Sequence, residues 1–150
     1  MRDKIRSSLN EALKAQDKLR SSTLRLVSAA LKDRDIDARG QGKDQISDDE
    51  ILALLQKMVK QREESARIYS DNDREELAER ERAEIAIIEE FLPRELSAME
   101  LDKAIDGAIL ETGADGMKDM GRVIAALKTK FPGQIDFGKA SGLVKTKLAG

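Results

Sequence analysis

The sequence predicts an all-α protein, and three observations support that fold class. Apolar residues recur at helical spacing through most of the chain, and no segment alternates apolar and polar residues long enough to form a strand. Charged residues make up 37% of the 150 residues and aromatic residues only 3%, which is typical of helices with solvated outer faces. Only two prolines, Pro93 and Pro132, interrupt helix-forming sequence.

The chain begins with two predicted helices and a loop. Apolar residues at helical spacing indicate a first helix over residues 2–16 and a second over residues 18–37. The segment 38–45 contains two glycines and no apolar residue beyond Ala38, so we expect it to be a loop.

Two further helices are expected before the middle of the chain ends. The sequence SDDE, from Ser47 to Glu50, has the pattern of a capping box and predicts the start of a long helix. The Asp-Asn-Asp sequence at 71–73 interrupts that helix. The next one is expected to run to Phe91 and to stop before Pro93, which cannot continue it.

The last third of the chain predicts three short helices. A second capping box, SAME at Ser97–Glu100, opens the first of them, and the glycine-containing segment 112–116 ends it. The next helix is expected over residues 117–130. Asp136 is expected to cap the last helix.

These elements predict two domains. Residues 1–94 are expected to form an N-terminal four-helix domain, and residues 95–150 a small C-terminal three-helix bundle. The break is placed at the sequence LPRELS, residues 92–97, because longer helices precede it and short ones follow it.

Composition excludes several kinds of chemistry. The chain has no cysteine, which excludes disulfides, zinc–thiolate sites and thiol nucleophiles. It also has no histidine, the commonest general acid or base and the commonest metal ligand. No basic-then-apolar leader and no run of 18 apolar residues is present, so we expect a cytoplasmic protein with no membrane partner.

The remaining polar patterns have structural explanations. Paired glutamates lie on helices dense in arginine and lysine, where ion pairs one turn apart account for them. The acidic segments 47–50 and 71–73 supply too few oxygen ligands for a calcium loop and fit helix caps instead. Ser141 and Lys145 could form a Ser–Lys pair, but their spacing also fits an ordinary helix surface. We therefore assign no catalytic residue, no metal site and no cofactor.

Positive charge is concentrated near the C-terminus. Residues 1–96 carry a net charge of −3 and residues 97–150 a net charge of +1, but residues 116–150 hold seven basic and two acidic side chains, a net charge of +5. These cations could neutralise the phosphates of an RNA, or they could form a solvated face that balances the acidic N-terminal part. Because aromatic residues are scarce, any RNA contact is expected to be to backbone and shape. The candidate RNA-binding residues are Lys118, Arg122, Lys128, Lys130, Lys139, Lys145 and Lys147.

The sequence resembles the YqeY-like family over essentially its whole length. The resemblance is carried by four blocks in the same order: TLRLVSAALKDRDID (23–37), LLQKMVKQREESARIY (54–69), ERAEIAIIEEFLPRELS (81–97), and GMKDMGRVIAAL followed by GQIDFGKASGLVKTKL.

Residues 47–150 are also similar to the C-terminal helical and tail region of the B subunit of the tRNA-dependent amidotransferase, whose tail engages tRNA. The resemblance implies an N-terminal helical domain, a tail-like C-terminal domain and tRNA as a candidate partner. The catalytic part of that subunit has no counterpart in this chain, so a tRNA-interacting protein without its own catalytic site is expected. Two alternatives stay open: an adaptor that docks on an amidotransferase or an aminoacyl-tRNA synthetase, and a component of glutamine-dependent carbon–nitrogen ligase activity.

A glycine in the middle of a predicted helix also needs explaining. Gly121 precedes an apolar run, and a mid-helix glycine costs about 1 kcal/mol relative to alanine. The family resemblance matches the sequence MGRV to the tail domain, which suggests that Gly121 permits close packing of a helix or approach of an RNA backbone. Gln134 stands where the family often has a basic residue, Ile135 stands in place of alanine, and Gly142 lies inside the last helix.

Overall fold

The structure is a computed structural model that describes residues 1–150, and it confirms the all-α class. It contains seven α-helices and no strand, and a short 3₁₀ turn, η1, spans Met117–Asp119. The α-helices are α1 (Arg2–Lys14), α2 (Lys18–Gly40), α3 (Asp48–Asp71), α4 (Glu75–Glu89), α5 (Ala98–Thr112), α6 (Met120–Lys130) and α7 (Phe137–Ala149). No helix combines the length and apolar character that crossing a membrane requires.

Both predicted capping boxes are confirmed. At the start of α3 the backbone N–H of Glu50 donates to Ser47 Oγ, and Glu50 Oε1 accepts from the backbone N–H of Ser47, each at 3.2 Å. At the start of α5 the backbone N–H of Glu100 donates to Ser97 Oγ at 3.2 Å, and the backbone N–H of Ser97 donates to Glu100 Oε1 at 3.1 Å. Each box satisfies amide groups that the helix itself leaves unpaired.

Four predicted boundaries are wrong by a few residues. Helix α4 ends at Glu89 and not at Phe91. Helix α2 continues to Gly40, so the first turn of the predicted loop is helical, and Ala38 in that turn is buried. Helix α1 ends at Lys14, because Gln16 adopts a left-handed conformation with φ of 56°. The helix expected over 117–130 begins as the 3₁₀ turn η1.

The chain divides into two compact units, Met1–Leu92 and Pro93–Gly150, which we call the N-terminal unit and the C-terminal unit. Each unit has its own cluster of buried apolar side chains. The predicted domain boundary after residue 94 stays a prediction, because compactness alone does not show that either part folds independently.

The N-terminal unit is built around the long antiparallel pair α3 and α4, with α2 packed on it and α1 packed on α2. Its buried apolar cluster reaches Val59 on α3, and Ile85 on α4 packs against it from the partly buried rim. Beyond that level polar groups join the two helices: Arg62 Nε donates to Glu84 Oε2 at 3.0 Å.

The C-terminal unit is a cluster of three helices in which α5 packs on α6 and α7, and α6 packs on α7. Five of its side chains have at most 1% of their surface exposed. They are Ile105, Val123, Leu127, Ala140 and Val144. This apolar centre leaves the charged residues of all three helices on the outside, where the candidate site lies.

Candidate RNA-binding surface

The seven candidate cations all lie in the C-terminal unit, but the structure does not bring them together in one site. Their positions separate by what each side chain contacts. Arg122, Lys130 and Lys147 form ion pairs with nearby carboxylates. Lys139 lines a shallow groove, and Lys118, Lys128 and Lys145 have no carboxylate partner.

Arg122 holds the start of α6 against the end of α5. Its guanidinium donates to Asp119 Oδ1 at 2.7 Å and to the backbone carbonyl oxygen of Thr112 at 3.1 Å. The hydrogen bond from Arg122 lowers the pKa of the Asp119 carboxyl, and a second hydrogen bond from the backbone N–H of Asp115 acts in the same direction. An RNA phosphate would therefore have to compete with an existing carboxylate for this arginine.

Lys147 and Lys130 tie α7 and α6 to the acidic side of α5. Lys147 Nζ lies 2.8 Å from Asp102 Oδ1 and 2.7 Å from Asp106 Oδ1, and these two hydrogen bonds raise its pKa. Lys130 Nζ lies 3.3 Å from Glu111 Oε2, and both of these side chains are exposed. The sequence analysis missed these carboxylates, although the spacing of Asp102 and Asp106 already placed both on one side of a helix.

Lys139 lies on the other side of α7 from Phe137, beside a shallow groove with a volume of about 180 Å³. The groove runs between the start of α5 and the turn before α7, and its charged members besides Lys139 are Glu95 and Asp136. Because two carboxylates share this groove with the lysine, it does not present a cationic surface.

Gln134 has a structural role in the same region. Its side-chain Nε2 donates to the backbone carbonyl oxygen of Arg94 at 3.2 Å, and its own backbone carbonyl oxygen accepts from the N–H of Leu96 at 2.9 Å. These bonds join the segment before α5 to the turn before α7. The glutamine at this position is therefore used inside the unit.

Lys118, Lys128 and Lys145 are the candidate cations that remain available. All three are exposed, and none pairs with a carboxylate. Lys128 Nζ lies 5.3 Å from the centre of the Phe137 ring, which places the C-terminal part of α6 beside the first residue of α7. The turn η1, which carries Lys118, also packs against α7. Lys128 thus lies where α6 and α7 meet, while Lys118 and Lys145 are exposed on η1 and on α7.

Gly121 does not serve close packing of a helix, so that interpretation of it is wrong. The residue is exposed, and a Cβ atom built on it would have no other heavy atom within 4 Å. The side of α6 that carries Gly121 faces open space, whereas Val123 and Leu127 face the core. Approach of an RNA backbone at this glycine stays a prediction.

The chain is similar to several yeast proteins named Altered inheritance of mitochondria protein 41, mitochondrial. It is 31% identical over 109 residues to the protein from Lachancea thermotolerans, which covers 71% of this chain and 57% of the relative. It is 27% identical over 123 residues to the protein from Vanderwaltozyma polyspora, which covers 77% of this chain and 64% of the relative. For the protein from Saccharomyces cerevisiae the identity is 25% over 126 residues, which covers 84% of this chain and 60% of the relative. The chain thus spans about three fifths of the length of these curated relatives.

The expectation of a cytoplasmic protein is contradicted by these relatives, which are named as mitochondrial. That expectation rested on the composition of the sequence given, and composition does not distinguish the cytoplasm from the interior of an organelle.

The family comparison covers nearly all of the chain. The family model described as Yqey-like protein matches residues 2–148, which takes in all seven α-helices apart from the last residue of α7. This chain therefore belongs to the YqeY-like family.

Proposed function

We propose that this chain is an accessory protein that binds tRNA through its C-terminal unit and has no catalytic site of its own. The observation that supports the proposal is that three exposed lysines on η1, α6 and α7, Lys118, Lys128 and Lys145, have no carboxylate partner. Such cations can neutralise phosphates without first breaking an ion pair within the protein. The similarity of residues 47–150 to the tail region of the amidotransferase B subunit points to tRNA as the RNA concerned.

The distribution of acidic groups in the C-terminal unit also supports this proposal. Four carboxylates, on Asp102, Asp106, Glu111 and Asp119, are each within 3.3 Å of a cation of the same unit. Their partners are the three ion-paired cations of α6 and α7. These carboxylates on α5 and η1 are therefore already paired with Arg122, Lys130 and Lys147, and Lys118, Lys128 and Lys145 keep their charge for a partner.

The test is the binding of labelled bulk tRNA to the full chain at several salt concentrations. We expect binding that weakens steeply as salt rises, because each neutralised phosphate releases counterions. The variant that combines Lys118→Glu, Lys128→Glu and Lys145→Glu should lose binding by more than about tenfold, since three favourable contacts become repulsive. Absence of tRNA binding by the unmodified chain at low salt would refute the proposal.

A second candidate function is an adaptor that docks on an amidotransferase or an aminoacyl-tRNA synthetase. The observation in its favour is the outer face of α2, where Leu26 and Ile36 are each 51% exposed while Leu24 and Val27 on the opposite face are buried. Exposed apolar residues on one helix face are a common feature of protein interfaces. Binding to a purified amidotransferase that persists after RNase treatment and is lost in the combined variant Leu26→Ser and Ile36→Ser would favour the adaptor.

A further inference from the structure

We infer that the surface between α6 and α7 takes double-helical RNA, read through its backbone, and that it uses Lys128 and Lys145 but not the ion-paired cations Lys130 and Lys147. This inference rests on the proposed function, because it names the class of RNA and the residues of the same site. It goes further by separating cations that have equal weight in the sequence.

The lysines of α6 and α7 differ in whether a carboxylate holds them. Lys147 sits between two carboxylates at 2.7 and 2.8 Å, and only 25% of its side chain is exposed. Lys130 is held by Glu111 across the space between α5 and α6. Each of these lysines would have to leave a carboxylate before it could contact a phosphate. Lys128 and Lys145 have no carboxylate partner, so a phosphate that binds them breaks no ion pair within the protein.

Helices α6 and α7 each carry two small residues and a lysine on one exposed side. The small residues are at positions i and i+4 and the lysine is at i+7, and all six residues are exposed. At this spacing the residues of each set lie along one side of their helix. The two sets are Gly121, Ala125 and Lys128 on α6, and Gly138, Gly142 and Lys145 on α7.

Lys128 of α6 and Lys145 of α7 lie at different points along the axis of α7. Lys128 lies against Phe137, and Lys145 follows Phe137 by eight residues, or about 12 Å along the helix. A low surface with cations at separate points can contact phosphates on both strands of a duplex. The minor groove of an RNA double helix is wide and shallow, so it admits such a surface.

This surface lacks the exposed aromatic side chains that single-stranded RNA would need as its preferred binding site. Binding of single strands depends on aromatic side chains on which successive bases stack. The aromatic residues of the C-terminal unit are Phe131 and Phe137. Both are partly buried against its apolar cluster, and Lys128 covers the Phe137 ring. No aromatic side chain is left exposed for a base.

The test compares three labelled probes for the full chain at matched salt: bulk tRNA, an RNA duplex of about 16 base pairs, and an oligouridine of the same strand length. We expect the tRNA and the duplex to bind, and the oligouridine to bind at least about tenfold more weakly. Oligouridine that binds as tightly as the duplex would overturn the inference and leave the proposed function standing. Failure of all three probes to bind would overturn both.

A pair of matched variants tests which cations are used. The combined variant Lys128→Gln and Lys145→Gln should make the negative slope of log K against log salt shallower by roughly 1.5, as expected for two lost phosphate contacts. The control, Lys130→Gln with Lys147→Gln, removes the same charge and should leave that slope unchanged while it lowers the midpoint of urea unfolding. A control that changes the slope as much as the first variant would contradict the inference. Circular dichroism of both variants checks that each one is folded.

Discussion

Arg62 and Glu84 join α3 to α4 between the main apolar cluster of the N-terminal unit and the buried alanines Ala66 and Ala78. The Nε of Arg62 lies 3.0 Å from Glu84 Oε2, and only 13% and 11% of the two side chains are exposed. A second guanidinium, on Arg80, lies 3.8 Å from Glu84 Oε1, and Arg62 also donates to the carbonyl oxygen of Met58. An ion pair thus occupies a position in this helix pair where an apolar contact would be expected.

Loss of one partner of this pair should destabilise the chain strongly. The variant Arg62→Met leaves the buried carboxylate of Glu84 with only its longer contact to Arg80, and we expect it to lower the free energy of unfolding by about 3 kcal/mol. The combined variant Arg62→Met and Glu84→Leu should recover most of that loss, because two apolar side chains can replace a buried ion pair. Urea unfolding followed by circular dichroism measures both changes.

An exposed ion pair at the start of α4 provides the control. Arg74 and Glu76 lie 3.2 Å apart, with 59% and 69% of their side chains exposed. Arg74→Met should therefore change the free energy of unfolding by less than about 1 kcal/mol. If Arg62→Met and Arg74→Met lower the free energy of unfolding equally, burial does not determine how much the Arg62–Glu84 pair stabilises the chain.

The pair formed by Arg2 and Asp35 should make stability depend on pH in the acid range. Two hydrogen bonds from Arg2, each 2.7 Å long, hold the pKa of the Asp35 carboxyl at about 2, below its ordinary value of 3.8. A hydrogen bond from the backbone N–H of Ile46 lowers the pKa further, whereas burial opposes both effects. Because the unfolded chain binds the proton more readily, this contribution is complete above about pH 5 and disappears as the pH falls towards 2.

The measurement is urea unfolding of the wild-type chain and of Asp35→Asn between pH 7 and pH 2.5. At neutral pH the variant should be less stable by roughly 1–2 kcal/mol, since the pair is only partly open to water. That difference should shrink as the pH falls below 4. A difference for Asp35→Asn that stays constant across this pH range would contradict the prediction.

The two capping boxes should stabilise their helices locally. Ser47→Ala and Ser97→Ala each remove the hydroxyl that accepts from the third backbone N–H of the helix, and each should cost about 1 kcal/mol. Because the two serines belong to separate units, amide hydrogen exchange should become faster at the start of α3 in the first variant and at the start of α5 in the second. If either variant speeds amide hydrogen exchange equally at the starts of α3 and α5, the effect of the capping box is not local.

The features that the sequence predicted are those set by neighbouring residues. The capping box from Ser97 to Glu100 depends on four consecutive residues, and the buried Val123 and Leu127 follow from helical spacing within α6. By contrast, the predicted end of α2 lies before Ala38, although Ala38 is helical and buried against other helices. Local sequence does not report such contacts between helices.

The candidate site was predicted in composition but not in arrangement. Seven basic residues were recognised near the C-terminus, yet their separation into paired and available cations depends on α5. Lys147 meets Asp102 across 45 positions of the chain, and no periodicity links residues so far apart. Spacing within one helix can predict which residues share a side, but only the packing of α5 on α7 decides which charges remain for a partner.

The last prediction concerns Gly121, whose surroundings are open. Gly121→Ala should raise the free energy of unfolding by about 0.5–1 kcal/mol, because a Cβ there meets no other heavy atom and alanine favours the helix. Gly113→Ala is the matched contrast, since Gly113 ends α5 with φ of 66°, where a side chain is strained, and it should lower stability by about 1 kcal/mol. Urea unfolding of the two variants gives both values, and a loss of stability for Gly121→Ala would show that the glycine has a role in the fold.

A gain in stability would show that Gly121 lowers the free energy of unfolding of the natural chain. Gly121→Ala should then weaken binding of the RNA duplex a few-fold, because the added methyl lies on the proposed contact surface. Unchanged duplex binding would remove Gly121 from that surface and leave only the lysines to define it.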